Sequence, residues 1–574
     1  MQDVQARQLM PEAPWLATYP SGVDWSADFP AMPLWDLFDQ AVGRYAHHPC
    51  LDFLGRVWTY EQIGRLVDRA AAGLQALGVG AGTKVGLFLP NTPYFVICFF
   101  AVLKAGGTVV SYNPLYADRE IAHQIEDSET DLMVTLDLAL LLPKLEPMLA
   151  RTRLKAIIVG KMANILPFPK SLLFPLVKAR ELAKVPDDGR HIWFDDLIAN
   201  AGGGISAAPD PHRAIATLQY TGGTTGVPKG AALTHRNLQV NALQMAAWHP
   251  GVECGAERIL ALLPLFHVFG MTCTMNFALC IGAQIILLPR FDLVQLLTTI
   301  DRKRPTILPG VPTLYRAINH HPDIGRYDLS SLRLCISGGA PLPLEVKQRF
   351  EQLSGCTLVE GYGLTECPVI ACNPIGSPGK QGSIGLPLPG TSVEVISLDD
   401  RRTALGPGQS GELCVRGPQV MAGYWNRPDE TAAVLEDGRL HTGDIGYMDE
   451  NGACFVVDRL KELIICSGFN VYPRAVEEAI YAHPDVVEAA VCGVPDAYRG
   501  ETVKAFVVLR QHARLDEAAL LAFLEDRLSP IEMPKLIEFR DQLPKSAVGK
   551  ILKRELLGAQ LAAEAMPRQG AAAS

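Results

Sequence analysis

The sequence contains no Cys-x-x-Cys pair, although 13 cysteines are spread between Cys50 and Cys492. Neither a disulfide framework nor a zinc ribbon is therefore indicated, and unpaired thiols suit a reducing compartment. An excess of basic residues is also missing, because 52 Lys and Arg stand against 61 Asp and Glu, for a net charge of −9. This balance argues against a surface that binds nucleic acid and favours a small-molecule substrate.

The N-terminus lacks the basic start and the apolar run of a signal peptide, so we expect a cytoplasmic protein. Residues 259–289 carry no formal charge and are long enough to cross a bilayer. Pro264, Gly270 and Asn276 interrupt this stretch with helix breakers and a polar group that lipid does not satisfy. We therefore predict a buried strand, loop, helix and strand at 259–289, and a membrane protein built around this segment is the alternative.

The composition is that of a large folded protein, with 574 residues, 48% of them hydrophobic and 20% charged. Apolar runs of strand length alternate with helical stretches through much of the first 460 residues, which is typical of parallel βαβ units. After Asp458 the pattern changes to that of a compact α+β domain. The predicted strands are 85–89, 107–111, 132–135, 154–160, 463–466, 486–492 and 504–509, and the predicted helices are 94–104, 118–128, 475–482 and 517–528.

The segment Lys161–Arg180 mixes large apolar side chains with four basic residues. Pro167, Pro169 and Pro175 prevent one long helix. One interpretation is a surface loop with a docked apolar turn. The other is a peripheral contact with an anionic membrane surface.

A glycine- and threonine-rich stretch, YTGGTTGVPKG, runs from Tyr220 to Gly230. Glycines allow backbone amides to converge on an anion, hydroxyls add donors and Lys229 adds a positive charge, so these residue types suit a polyphosphate. The stretch is not a Walker A loop, because Pro228 precedes the lysine and Gly230 follows it. A second stretch, EGYGLTE at 360–366, offers a ring that can stack on a base and a carboxylate that can hold Mg²⁺. EGYGLTE and the stretch LGVGAG near Gly80 lack the glycine spacing of a dinucleotide-binding fingerprint, so an oxidoreductase of the Rossmann type is weakly supported.

Four further motifs follow in a fixed order: SGGAPL at 337–342, HTGD at 441–444, DRLK at 458–461 and PKSAVGK at 544–550. Together the six motifs resemble the adenylate-forming superfamily of acyl-CoA synthetases, luciferases and peptide-synthetase adenylation domains, from about Trp35 to Leu557. The stretches DGRLHTGDIGYMDENG and VDRLKELIICSGFNVYP resemble those of bacterial long-chain fatty acid CoA ligases in particular.

The resemblance implies an α/β fold with two parts. A large N-terminal adenylate-forming domain of several α/β subdomains would occupy residues 1–460, and a small mobile α+β domain would occupy 461–560. We expect residues 561–574, which are small and polar, to form a disordered tail. The oligomeric state is left open.

The resemblance also implies the reaction. A fatty acid carboxylate attacks the α-phosphate of ATP, pyrophosphate leaves, and the thiol of coenzyme A then attacks the acyl adenylate. ATP and coenzyme A would be co-substrates and Mg²⁺ the cofactor. A medium-chain or aryl-acid CoA ligase, and a ligase that loads a carrier protein, are the alternatives.

Roles for individual residues come from the same resemblance. Thr221 and Glu366 would hold Mg²⁺, and Thr365 would contact the α-phosphate. The residues expected to bind ATP and AMP are Thr221, Gly222, Gly223, Thr224, Thr225, Gly226, Lys229, Gly339, Ala340, Tyr362, Asp444 and Arg459.

Lys550 would bridge the substrate carboxylate and the α-phosphate, and His267 would lie beside that carboxylate. Lys461 would be the hinge of the small domain, and Gly468 would line the channel for coenzyme A. Some relatives have a tryptophan four residues after the histidine as a gate to the acyl tunnel, whereas this chain has Met271. The chain-length preference is therefore open.

Overall fold

A computed structural model describes residues 13–203, 208–221, 228–375, 380–466, 469–496, 499–546, 549, 551–553 and 555–557. The chain divides into two compact units. The larger comprises Met1–Val393, Val415–His441 and Glu450–Cys454, and the smaller comprises Glu394–Cys414, Thr442–Asp449 and Phe455–Ser574. The expected α/β class, with a large N-terminal part and a small C-terminal part, is confirmed. The boundary at residue 460 stays a prediction, and the tail at 561–574 lies outside the described residues.

The larger unit contains a nine-stranded sheet with the order β16-β15-β14-β13-β12-β10-β11-β1-β2. Strands β14, β13, β12, β10, β11 and β1 run parallel to their neighbours in this order. The strands are β1 Pro49–Phe53, β2 Arg56–Thr59, β10 Arg258–Ala261, β11 Gln284–Leu287, β12 Ile307–Gly310, β13 Leu334–Ser337, β14 Thr357–Tyr362, β15 Ala371–Cys372 and β16 Leu386–Pro387.

A second sheet of the same unit has eight strands in the order β19-β9-β8-β4-β3-β5-β6-β7. Strands β8, β4, β3, β5, β6 and β7 are parallel, and β9 and β19 add antiparallel strands at one side. The strands are β3 Lys84–Leu87, β4 Thr108–Ser111, β5 Leu132–Leu136, β6 Ala156–Gly160, β7 His191–Trp193, β8 Ile215–Thr221, β9 Lys229–Thr234 and β19 Gly423–Tyr424.

The helices of the larger unit connect and cover these parallel strands, as βαβ crossovers require. The α-helices are Leu34–Tyr45, Tyr60–Ala76, Pro93–Lys104, Asp118–Ser128, Leu142–Leu145, Met148–Arg151, Met162–Ile165, Lys170–Val177, Phe194–Leu197, His235–Trp248, Val268–Gly270, Phe277–Cys280, Leu293–Lys303, Pro312–Asn319, Leu344–Ser354 and Pro428–Ala432.

Helix Asp118–Ser128 has the bounds that the sequence predicts. It begins at an aspartate, which suits the first turn, and it ends where Glu129 adopts a left-handed conformation with φ of 57°. Helix Pro93–Lys104 is buried along its whole length, which fits its nearly uninterrupted apolar sequence. Pro175 lies inside helix Lys170–Val177, so it shortens this helix without excluding it.

The uncharged passage 259–289 folds as predicted into a strand, a loop, helical turns and a strand. These elements are β10, the helical residues 268–280 with a π-helical stretch at Met271–Asn276, and β11. Within the part of the chain that the structure describes, none of the helices combines the length and the apolar character needed to cross a bilayer.

In the smaller unit, β17 Ser392–Ile396, β18 Gly411–Arg416 and β21 Arg439–Met448 are neighbours in a sheet, and β22 Cys454–Arg459 pairs with β21. The short strand β20 Leu435–Glu436 pairs with the first residues of β21, and this pairing lies within the larger unit. A further sheet has the order β24-β23-β26-β25, with β27 on β26. Its strands are β23 Ile464–Cys466, β24 Phe469–Val471, β25 Val486–Asp496, β26 Gly500–Leu509 and β27 Leu536–Phe539.

Helices Pro473–Tyr481 and Glu517–Leu524 pack on this last sheet. The apolar face predicted for the second helix is confirmed, because Leu520, Leu524 and Leu528 are all buried in one core. The helix itself ends at Leu524, four residues earlier than predicted, and Leu528 reaches the core from the turn that follows.

Candidate active site

The parallel strands of the nine-stranded sheet bring three predicted motifs to one edge. His267 lies in the loop after β10, residues 338–343 follow β13, and residues 363–368 follow β14. The carboxyl ends of these parallel strands lie at one edge of the sheet. The strand order changes direction at β10, because β11 lies on one side of β10 and β12 lies on the other. Ligands of α/β sheets bind outside the carboxyl ends of the strands at such a switch of direction.

The loop after β10 contacts the loop after β13, which in turn contacts strand β14. The His267 Nδ1 atom, assigned as an acceptor, accepts a hydrogen bond of 3.3 Å from the backbone N–H of Phe269. The Phe269 ring packs against Gly338, where an added Cβ would lie only 3.1 Å from the ring. From the same loop as Gly338, the Leu342 N–H donates to Oε1 of Glu360 on β14 at 3.3 Å. The predicted adenine-binding residues Gly339 and Ala340 are exposed between these contacts.

Thr365 and Glu366 occupy the tip of a tight turn after β14. The backbone groups of Leu364 and Cys367 exchange two hydrogen bonds, of 2.9 and 3.2 Å. A Cβ at Gly363 would lie 1.8 Å from the carbonyl oxygen of Pro368, so the start of the turn admits glycine alone. Both tip side chains are half-buried. Tyr362 ends β14 and pairs with Ala371 of β15.

The carboxylate of Glu366 is held by an aromatic hydroxyl that sequence reasoning did not single out. The Tyr424 hydroxyl donates a hydrogen bond of 2.6 Å to Glu366 Oε1. The Glu366 backbone carbonyl accepts a hydrogen bond of 2.9 Å from the N–H of Met421. Burial first, and then the nearby carboxylates of Glu366 and Glu430, raise the pKa of Tyr424, so its hydroxyl keeps its proton and acts as the donor.

Lys229 joins the same group of residues. Its Nζ atom lies 5.1 Å from the centroid of the Tyr424 ring, within the range of a cation–π contact. It also forms an ion pair with Glu430. Lys229 and Glu366 therefore contact the same tyrosine. Strand β19, which carries that tyrosine, pairs directly with β9.

Thr221 and Lys229 face each other across the hairpin of β8 and β9. They stand at the two ends of the predicted phosphate loop, whose residues Gly222, Gly223, Thr224, Thr225 and Gly226 lie outside the described residues. The hairpin is also anchored to helix Asp118–Ser128, because the Tyr220 hydroxyl donates to Asp127 Oδ2 at 2.7 Å. Asp127 also pairs with Arg427.

The oxygen donors around this hairpin fit a magnesium ion. Mg²⁺ binds hard oxygen ligands, commonly one or two carboxylates together with phosphate oxygens. Glu366 offers a carboxylate held in place by Tyr424, and Thr221 offers a hydroxyl on a strand two places away from β19. The donor chemistry therefore suits the predicted pair Thr221 and Glu366.

Met271, at the predicted gate position, is fully buried. Its Sδ atom lies 3.5 Å from Nε2 of Gln219, which is two residues before Thr221 on β8. The same Gln219 amide donates to the Ser111 hydroxyl at 3.0 Å. Met271 thus packs against the strand that leads to the phosphate loop, a contact that no motif indicated.

In the smaller unit, Asp444 and Arg459 are in direct contact. Asp444 is buried on β21, and its Oδ1 atom lies 3.1 Å from Arg459 Nε at the end of β22. The preceding Gly443 donates its N–H to Glu412 Oε1 at 3.0 Å, and its carbonyl accepts from Leu460 N–H at 2.9 Å. A buried carboxylate with its orientation fixed is suited to accept hydrogen bonds from two hydroxyls.

Lys461 is exposed in the turn between β22 and β23. The next residue, Glu462, and Glu477 both pair with the ammonium of Lys553 at 2.8 Å. Burial lowers the pKa of Lys553, but the two carboxylates outweigh it and the pKa is raised above its ordinary value. This triad holds the chain in place at Lys553, three residues beyond Lys550. Lys550 itself and Gly468 lie outside the described residues.

Two family models match the chain. The model described as AMP-binding enzyme matches residues 38–425, and that described as AMP-binding enzyme C-terminal domain matches residues 475–550. A long-chain-fatty-acid–CoA ligase of Bacillus subtilis (strain 168) is 45% identical over 550 residues, which are 95% of this chain and 98% of that protein. A protein of the same name from Escherichia coli O157:H7 is 40% identical over 551 residues, 94% of this chain and 97% of that one.

Among solved structures, ATP-bound MatB from Rhodopseudomonas palustris matches with a TM-score of 0.80 at 29% identity, over 92% of this chain and 99% of that chain. The first family model alone spans more than half of the sequence. The fold, the order of the motifs and these matches agree, and the chain belongs to the family of AMP-binding, adenylate-forming enzymes.

Proposed function

We propose that this enzyme is an ATP-dependent ligase that converts a long-chain fatty acid into its coenzyme A thioester through an acyl-AMP intermediate, releasing AMP and pyrophosphate. The reaction type rests on one geometric observation above others, the alignment of Lys229, Tyr424 and Glu366 beside the hairpin that carries the glycine- and threonine-rich loop. The acyl substrate class rests on the relative that is 45% identical over nearly the whole of both chains.

The charged residues at the hairpin would bind the triphosphate. Lys229 would exchange its ion pair with Glu430 for the β- and γ-phosphates, and the amides and hydroxyls of 221–226 would bind the same oxygens. Thr221 and Glu366 would hold Mg²⁺, which supplies positive charge against the phosphate oxygens when bound. Thr365, next to Glu366 on the tight turn, would donate to the α-phosphate.

Other residues would bind the adenine, the ribose and the acyl carboxylate. Gly339, Ala340 and Tyr362 would enclose the adenine, and the buried carboxylate of Asp444, oriented by Arg459, would accept the ribose hydroxyls. His267, at the switch point of the sheet, would lie beside the acyl carboxylate.

Two lysines and one glycine would serve the change from one half-reaction to the other. Lys550 would stabilise the negative charge that develops as the carboxylate attacks the α-phosphate. Lys461 would be the hinge whose backbone rotates after adenylation, and Gly468 would line the path of the pantetheine thiol. Lys461 is exposed in a turn, a position that is compatible with a hinge.

The segment Lys161–Arg180 is proposed as a peripheral contact with an anionic membrane. None of the residues of helix Lys170–Val177 is buried, although the helix is largely apolar. A long-chain fatty acid partitions into lipid, so a ligase that rests on the membrane meets its substrate there.

Pyrophosphate release would test the proposal, measured with ATP and Mg²⁺ for saturated acids from acetate to palmitate and for benzoates, each with and without coenzyme A. Release that is greatest with long chains and turns over only with coenzyme A is the expected result. A maximum on medium-chain or aromatic acids would overturn the long-chain assignment alone. Turnover without coenzyme A would instead point to a carrier protein as the acceptor.

A further inference from the structure

Three loops leave the eight-stranded sheet at the same edge. Strands β4, β3, β5 and β6 are parallel neighbours, so the loops that follow β4, β5 and β6 all start at their carboxyl ends. These loops are residues 112–117, residues 137–141 and the segment 161–184. They are called the leucine edge below.

Hydrogen bonds tie the three loops together. Ala139 N–H donates to the carbonyl of Glu181 at 2.8 Å, and Met162 N–H donates to Asp137 Oδ1 at 2.7 Å. Lys144, four residues after Leu140, donates from Nζ to the carbonyls of Pro114 and Tyr116, which flank Leu115, at 3.2 and 3.0 Å. The loops are therefore parts of one surface.

Each loop directs large apolar side chains into solvent. Leu115 is 74% exposed and Leu140 is 81% exposed. On helix Lys170–Val177 the half-buried side chains are Ser171 and Phe174, three residues apart on the inner face. The outer face carries the exposed residues Leu172, Leu173, Leu176 and Val177, and Phe168 precedes the helix. Single exposed leucines are common on proteins, but a contiguous apolar patch marks an interaction site.

Basic side chains border this patch on a chain that is acidic as a whole. Residues 161–184 contain five Lys or Arg and one acidic residue, whereas the whole protein has a net charge of −9. Lys161 pairs with Asp195, and Lys178 pairs with Glu181. Lys170, Arg180 and Lys184 are exposed, and within the described ranges none of them has an ion-pair partner. Exposed apolar side chains next to basic ones match a bilayer surface that contains anionic lipids.

We propose that the leucine edge is one composite membrane-docking surface, in which Leu115 and Leu140 insert into an anionic bilayer together with the outer face of helix Lys170–Val177. This extends the peripheral contact proposed above from one segment to three loops, and it fixes which edge of the sheet faces the lipid. The inference rests on the proposed function for its biological purpose, but lipid binding itself requires neither ATP nor an acyl substrate.

The test uses the full-length chain and vesicles of phosphatidylcholine, with or without phosphatidylglycerol, in a sedimentation assay. We expect binding to the anionic vesicles that weakens as salt is added, because salt screens the basic side chains. The double variant Leu115→Ser/Leu140→Ser should lower the affinity by about tenfold or more, since two leucines no longer enter the bilayer. Arg180→Gln/Lys184→Gln should weaken binding and reduce its salt dependence.

Leu77→Ser is the matched control. Leu77 is also an exposed leucine, but it precedes β3 and so lies at the opposite edge of the same sheet. Its replacement should leave vesicle affinity unchanged. With a short water-soluble acid as the substrate, all variants should release pyrophosphate from ATP at the wild-type rate, which also shows that they fold.

Two outcomes would overturn the proposal, and a third would count against the proposed function alone. Equal binding by wild type and Leu115→Ser/Leu140→Ser, with loss only in Leu176→Ser/Val177→Ser, would confine docking to the helix. An absence of vesicle binding, with self-association that the same leucine variants abolish, would assign the edge to a second copy of the chain. Failure of the ligase assay with normal vesicle binding would count against the proposed function and leave the docking surface intact.

Discussion

The hydroxyl of Tyr424 donates a 2.6 Å hydrogen bond to the carboxylate of Glu366, although 58 residues separate the two along the chain. Glu366 belongs to a turn after the nine-stranded sheet, whereas Tyr424 belongs to the outermost strand of the eight-stranded sheet. This bond therefore connects the two sheets of the larger unit at the point where the phosphates are expected. It also orients a carboxylate that otherwise rotates freely at the tip of a turn.

Tyr424→Phe should impair nucleotide use without unfolding the protein. The variant removes one hydrogen bond to a charged acceptor, a contribution of about 1.5–3 kcal/mol, and it keeps the ring. We expect kcat/KM for ATP to fall at least tenfold and the requirement for Mg²⁺ to shift to higher concentration, measured by pyrophosphate release. Tyr447→Phe is the matched control, because that tyrosine belongs to the smaller unit and stacks on Phe455. Equal effects of the two substitutions would contradict the role of Tyr424.

Lys229→Gln and Glu430→Gln should change the KM for ATP in opposite directions. Lys229 is paired with Glu430 and must leave that carboxylate to reach a phosphate. Loss of the lysine removes a positive charge and should raise the KM for ATP by about tenfold, whereas loss of the competing carboxylate frees the lysine and should lower the KM a few-fold. Initial rates over a range of ATP concentrations would show this, and a rise in KM for both variants would contradict it.

Local patterns in the sequence predict much of this fold. Helix 118–128 is correct at both ends because an aspartate starts it and a left-handed residue stops it. The uncharged passage 259–289 is correctly predicted as buried because its prolines, glycines and asparagine exclude a bilayer helix. The end of helix Glu517–Leu524 is less well predicted, since an apolar period continues into the following turn.

Long-range side-chain contacts are the part that the sequence does not predict. Tyr424 and Arg427 belong to no motif, and they reach the hairpin because β19 pairs with β9 across more than 180 residues. Asp127 belongs to no motif either, and it reaches the hairpin from helix Asp118–Ser128 through Tyr220. The polar and aromatic cluster in GYWNRPDE was the one local signal for Tyr424 and Arg427. The motifs identify residues that contact a ligand, whereas the residues that orient those contacts depend on the order of strands in the sheet.

Acid should destabilise the larger unit between pH 6.5 and about pH 4. Burial lowers the pKa of His249 to about 4, and burial likewise lowers the pKa of His235 to about 4. Below pH 6.5 the unfolded chain binds protons that the folded chain does not accept, so the stabilisation is present above 6.5 and is lost as the pH falls to about 4. For His249, which is fully buried, the loss is on the order of 3 kcal/mol.

His249→Phe should flatten this pH dependence. Both ring nitrogens of His249 lack a hydrogen-bond partner among the described residues, and the ring lies 6.1 Å from that of Phe277, so a phenyl ring fits the apolar site. Denaturant unfolding at several pH values between 4 and 7 would give the free energy of unfolding of each protein. The slope should be smaller in the variant, with a remainder from His235, and parallel curves would contradict the prediction.

Lys461→Pro should separate the two half-reactions. Proline fixes φ, so a hinge at this position loses its rotation while the adenylation geometry is retained. We expect nearly normal formation of acyl-AMP in the absence of coenzyme A and slow formation of the thioester when coenzyme A is present. Lys461→Ala removes the same side chain but leaves the backbone free, and it should retain both steps. Equal loss of both half-reactions in the proline variant would argue against a hinge.

Lys550→Ala should have the opposite effect. The lysine is expected to stabilise charge during attack on the α-phosphate, and loss of such a group costs on the order of 10²–10³ in rate. Acyl-AMP formation should therefore fall by that factor, whereas conversion of supplied acyl-AMP and coenzyme A into thioester should continue.

Lys545→Ala, five residues earlier, is the matched control because that lysine pairs with Glu488. The triad of Lys553, Glu462 and Glu477 remains intact in both variants, so a difference between them reflects the lysine at 550 rather than loss of the surrounding fold. Equal impairment of both half-reactions by Lys550→Ala would instead show that the lysine maintains the structure of the small unit and has no specific part in adenylation.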